Sequence, residues 1–177
     1  MNYLKSMTIM RGVRKSVPRM EKVTLVAQAL ELEAVMKQFI GFHLITKQAP
    51  QIIYANQAVD QFQIKKNQPL GAKVTLRGQI MEDFLHTLVY VALPKASDFS
   101  PFSTKNMDKQ GNITFHVSSF LLWPECEPFY EVFRKVGGFH ISLVTSTSSQ
   151  SESLIVYNQF DLPMIGDDLI VKEKSSS

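Results

Sequence analysis

A single cysteine, Cys126, is the only thiol in this 177-residue chain, so no internal disulfide can staple it. That suits a reducing compartment. Nor is there an unbroken apolar run of about 18 residues, the length from which a membrane-spanning helix is read. No glycine-rich nucleotide-binding signature occurs, and Gly137-Gly138 reads more simply as a turn. The histidines, His43, His86, His116 and His140, are scattered without metal-ligand spacing, so no zinc site is expected. Cys126 follows Trp123-Pro124-Glu125 with no histidine that spacing could pair with it. Glu82-Asp83 and Asp167-Asp168 are adjacent carboxylates, and helix neighbours do not face one another, so they read as solvated charges. The absences leave an enzyme no foothold, and no catalytic residue, metal or cofactor is expected.

What is present is a modest positive charge with an uneven distribution. The net charge is +3, yet residues 1–110 hold 15 Lys/Arg against 8 Asp/Glu, while residues 111–177 hold 4 against 8. Such asymmetry fits a polyanion-facing side and a solvent-facing side, and it equally fits chance clustering. Residues 1–16 carry Lys5, Arg11, Arg14 and Lys15 without an acid. They read as a basic arm or a targeting segment. From Gly166 the chain is expected to be a disordered tail, which leaves one domain over 17–165.

The alternation of Met20 to Val26 predicts a first strand, with Val23 and Leu25 inward and Lys22 and Thr24 outward. Dense apolar residues from Ala29 to about Ile45 predict a helix ended by Gln48-Ala49-Pro50. Extended segments are expected near 51–55, 61–65 and 72–77, the last two joined by a turn at Lys66-Asn67-Gln68-Pro69. Ile80, Phe84, Leu88 and Ala92 recur every four residues, predicting a helix from Gln79 to Leu93 that Pro94 stops. Residues 95–111 read as a long loop. Strands follow at Ile113 to Ser118 and Phe139 to Val144, and Ser149-Gln150-Ser151-Glu152 fits a capping box before a helix from Ser153 to Phe160.

Strands with one apolar face need helices on that face only. The expected fold is therefore α+β: a single domain with an antiparallel sheet, helices packed on one face, and the other face open. That open face would collect Lys22, Thr24, Gln63, Lys65, Lys73, Thr75, Arg77, Thr114 and His116. Cations beside neutral donors suit phosphates and sugars, and a flat polar sheet can meet an RNA minor groove. Patterning alone leaves an ordinary solvated face equally open.

Specific segments add a resemblance. Val17-Pro18-Arg19-Met20-Glu21-Lys22-Val23-Thr24-Leu25 resembles the first strand of ribosomal protein five of the large subunit. The decapeptide Pro69-Leu70-Gly71-Ala72-Lys73-Val74-Thr75-Leu76-Arg77-Gly78 is similar to that family's most recognisable stretch. Ala92-Leu93-Pro94 with Asp98-Phe99, Gly111-Asn112, Trp123-Pro124-Glu125 and Phe160-Asp161-Leu162-Pro163 follow in the family's order. The resemblance covers about residues 17–165.

It implies an RNA-binding structural protein that anchors 5S rRNA to large-subunit rRNA in the central protuberance. The implied partners also include the peptidyl-site tRNA and neighbouring ribosomal proteins, among them one in the small-subunit head, with no membrane. For 5S rRNA the implied contacts are Gln48 and Thr75, with Lys73, Arg77, Arg19 and Lys22 supporting. Val26 stands where the family carries an asparagine, which removes one side-chain amide from that contact. The implied tRNA-proximal residues are Phe62, Ile64, Lys65 and Lys66, although the loop Ala55-Asn56-Gln57-Ala58 lacks the family's basic opening. Erosion of basic contacts around a kept core is expected of a mitochondrial member. A bacterial cytoplasmic or plastid ribosome is the alternative location, and a free RNA-binding assembly or regulatory factor the alternative function.

Overall fold

The computed structural model describes residues 17–58, 61, 64–97, 99–103, 107–147 and 149–165. The expected basic arm, the expected tail, Phe62 and Gln63 lie outside them.

The first strand, β1 (Met20–Gln28), sits at the centre of a five-stranded antiparallel sheet. Its neighbours are β3 (Pro69–Leu76) on one side and β6 (Phe139–Thr145) on the other. The short β2 (Gln51–Tyr54) and β5 (Ile113–Val117) close the two edges. Alternation does what the sequence predicts: Val23, Leu25, Val74, Leu76, Ile141 and Leu143 are all buried on one face.

Two helices cover that face. Helix α1 (Leu32–Thr46) buries Val35, Phe42 and Ile45. It begins three residues later than the apolar density suggests, because Ala29 is still bonded to the sheet, its N–H donating to the Leu70 carbonyl at 2.8 Å. Helix α2 (Gly78–Thr87) buries Met81, Phe84 and Leu85. Phe84 stacks on Trp123 at 6.0 Å between ring centres, and Phe42, Phe120 and Phe139 complete an aromatic core.

Pro94 does not stop α2. The chain passes through a π-helical turn at Leu88–Ala92 into a further helical segment, Leu93–Lys95. In an unbroken α-helix the proline ring would strike the carbonyl four residues back. The wide turn, in which the Leu93 N–H reaches the Leu88 carbonyl, resets the ladder and puts Pro94 in a first turn where no N–H is needed.

Helix α3 (Gln150–Gln159) starts at the capping box, with the Ser149 hydroxyl accepting from the Glu152 N–H, three residues ahead of the expected start. Two expectations fail. The stretch 95–111 is not all loop: β4 (Phe102–Ser103) pairs in parallel with β7 (Met164–Ile165). The stretch 61–65 is not a strand: Gln61 is helical, and Lys65 opens a turn in which its carbonyl accepts from Gln68 N–H at 3.1 Å. Asn67 takes the left-handed position (φ 63°), a conformation asparagine tolerates. Lys65 is thereby removed from the open sheet face where the sequence had placed it.

Both glycines that bound the central part of the decapeptide have a physical reason. A Cβ on Gly71 would lie 2.1 Å from the Ala27 carbonyl oxygen on β1, and Gly78 opens α2 at φ 60°.

Candidate nucleic-acid interface

The uncovered face of the sheet carries two parallel rows of polar side chains, set by register. Thr75 on β3 stands opposite Thr24 on β1, Thr24 opposite Ser142 on β6, and Ser142 opposite Thr114 on β5. These four hydroxyls cross the sheet at one level, and the Thr114 and Ser142 oxygens are 3.0 Å apart. One step along the strands lies the second row: Gln51, Lys73, Val26, His140 and His116. At a strand spacing of about 4.8 Å it spans roughly 19 Å. Neither row contains a carboxylate.

Of the predicted contacts, the structure brings Gln48, Lys73 and Thr75 together. Helix α1 ends when Lys47 turns left-handed (φ 55°) and donates its N–H to the His43 carbonyl. The Thr46 hydroxyl, which donates to Phe42, also takes the Gln48 N–H at 3.3 Å. That fixes Gln48 beside β3, where its amide Nε2 donates to the Thr75 carbonyl at 3.1 Å. Strand β2 reaches β3 only as far as Gln51 opposite Lys73, so the Gln48 side chain serves a strand-edge carbonyl beyond that last pair. Gln48, Gln51, Lys73 and Thr75 line a shallow recess of about 190 Å³.

The supporting cations lie at the next level. Lys22 shares the open face after a bulge between Met20 and Lys22. Arg77 caps the start of α2 and pairs with Glu21 at 3.6 Å, an exposed contact of small energetic weight. Glu21 thus places one acid at the edge of a face expected to be nearly free of them. Arg19 precedes β1, tied through its backbone to Ser146 by two hydrogen bonds of 2.9 and 3.1 Å. Arg19 and Arg77 line one groove, together with Glu21, Glu82 and Gln159.

The predicted tRNA-proximal residues form a second location. Ile64 is half-buried, while Lys65 and Lys66 stand exposed on the turn held by Ala55, whose N–H and carbonyl bond Gln68 and Asn67 at 2.9 Å each. From Lys66 to Thr75 the chain runs along β3, a separation of roughly 25–30 Å if extended. The two sets of residues therefore address opposite ends of the strand.

Ser142, His140 and Gln51 were missed as members of the open face. Their alternation with Ile141, Leu143 and Ile52 was the available signal, but which face meets which strand depends on pairing that sequence does not state. Among the described residues there is no cluster of three or more potential metal ligands, and no helix is long and apolar enough to cross a membrane.

Fold and face define an α+β scaffold whose chemistry lies on a flat polar sheet. The model of the C-terminus of the ribosomal protein five family, uL5, matches residues 69–164. Among curated proteins, the large ribosomal subunit protein uL5 of Mycoplasma pneumoniae is 35% identical, covering 93% of this chain and 99% of its own length. The uL5 proteins of Latilactobacillus sakei (36%, 83% of each chain) and Malacoplasma penetrans (31%, 84% of this chain and 81% of its own) are similar too. The chain belongs to the ribosomal protein uL5 family, a structural and non-enzymatic one.

Proposed function

We propose that this chain is a structural constituent of the large ribosomal subunit that holds 5S rRNA against its open sheet face. It would join that RNA to large-subunit rRNA in the central protuberance, beside other ribosomal proteins including one of the small-subunit head. The observation that carries the reading is the pair of carboxylate-free rows, with Thr75, Lys73 and Gln48 meeting at one recess. Hydroxyls and amides there can donate to phosphate and 2′-oxygens, while Lys73 and Lys22 supply charge. The Lys65–Lys66 turn is the element placed to approach the peptidyl-site tRNA. Bacterial relatives at 31–36% identity support a ribosome of the bacterial cytoplasm, and the mitochondrial reading rests only on the depleted basic loop.

Filter binding with 5S rRNA tests the face. Thr75→Ala should weaken binding about fivefold, the value of one net hydrogen bond. Lys73→Ala should lower both affinity and the salt slope by about one ion. Unaltered binding by both variants contradicts the assignment. A free RNA-binding assembly factor using the same face is separated by stoichiometry, since a structural protein is present once in every mature particle.

A further inference from the structure

The four histidines are far apart in sequence, yet the fold sets two of them face to face. His116 on β5 and His140 on β6 are register partners, both exposed, with ring centres 5.0 Å apart and planes inclined at 60°. Gly138 keeps that arrangement possible, because a Cβ there would lie 2.6 Å from the His116 Nε2. An edge-to-face pair uses one face of one ring, so flat ring surface remains open to a third partner. The pair ends the same row that begins with Gln51 and Lys73, with the small apolar Val26 between.

A metal is a poor fit for this pair. Two imidazoles supply half of a tetrahedral shell, and no third potential ligand joins them among the described residues. A nucleobase fits better: unstacked RNA bases are taken up on aromatic side chains, histidine included. We propose that His116 and His140 form a stacking platform for an unpaired base of the RNA held on this face. A strand tracking the row sets its phosphate at Lys73 and its base over the imidazoles. The proposal rests on the RNA-binding reading of the face and extends it from backbone contacts at β3 to a base contact at β5 and β6.

Filter binding with in vitro transcribed 5S rRNA tests it, using two double variants checked for unchanged thermal melting. His116→Gln with His140→Gln keeps hydrogen-bonding groups but removes the rings, and affinity is expected to fall about tenfold, as for loss of one stacked base. His116→Phe with His140→Phe keeps flat rings and should bind within about threefold of wild type. Wild-type affinity in the glutamine variant overturns the platform, as does an equal loss in the phenylalanine variant. Lys73→Ala and Thr75→Ala run in parallel: if these weaken binding while the glutamine variant does not, the face stands and the platform alone fails. If none of them weakens binding, the reading of the face fails with it.

Discussion

The Gln48 side chain donates to the Thr75 backbone carbonyl at 3.1 Å, so two residues 27 apart in sequence form one unit at the edge of β3. Gln48 therefore acts on RNA partly by fixing the strand that presents Thr75. Gln48→Ala should cost about 0.5–1.5 kcal/mol in stability, read from urea melts, and should reduce 5S rRNA affinity in the same protein. Gln48→Glu should bind RNA more weakly than Gln48→Ala, because its carboxylate faces a carbonyl oxygen and repels phosphate. Glutamate binding as well as glutamine would contradict this.

Gly71 is the position in the decapeptide that no side chain can share. With a Cβ 2.1 Å from the Ala27 oxygen, Gly71→Ala must push β1 and β3 apart, at a cost of about 1–3 kcal/mol. Gly137→Ala is the control, since a Cβ there meets nothing within 4 Å. Thermal unfolding should separate the two variants clearly, and equal midpoints would show that the β1–β3 approach is not tight.

Tyr157 fastens α3 to the far side of the sheet. Its buried hydroxyl donates to the Gly111 carbonyl at 2.7 Å and lies 3.4 Å from that of Leu143, and burial pushes the phenol above its ordinary pKa. Tyr157→Phe strands those carbonyls and should lower stability by about 1–2 kcal/mol. RNA affinity of the folded variant should be unchanged. An undiminished urea midpoint would count against the bond's role.

Cys126 should be chemically silent in the folded protein. It is fully buried, and burial together with the Glu125 carboxylate pushes its thiol up to about 12 from 9.0. Below the ordinary value both folded and unfolded chains keep the proton and stability is intact. Between the two values only the unfolded chain ionises, so stability falls as pH climbs from about 9 toward 12. Iodoacetamide at a pH of about 8.5, near the ordinary thiol value, should label the chain in urea and leave the native protein unmodified. Rapid native labelling would contradict the burial.

Strand faces and the covered side of the sheet were legible because they are written in period-two patterns, as in Val23-Thr24-Leu25 and Val74-Thr75-Leu76. The helix through Pro94 was not, because a π-helical turn leaves the apolar stripe intact while changing the hydrogen-bond ladder beneath it. The β4–β7 pairing joins Phe102 to Met164 in two-residue strands, too short for any periodicity. Of the site, Thr75 and Lys73 could be placed by alternation. The alignment of Thr24, Ser142 and Thr114, and the meeting of His116 with His140, follow from cross-strand register, a tertiary property. Membership of the family rested on ordered short motifs, and the matched residues 69–164 begin at the decapeptide.

Residence in the large subunit is the central claim, and gradient sedimentation of native lysate tests it most directly. The account predicts that the chain co-migrates with large subunits and with whole ribosomes at one copy per particle, and stays there after a high-salt wash. A chain found only in the slow fractions, or only on immature particles, would contradict it.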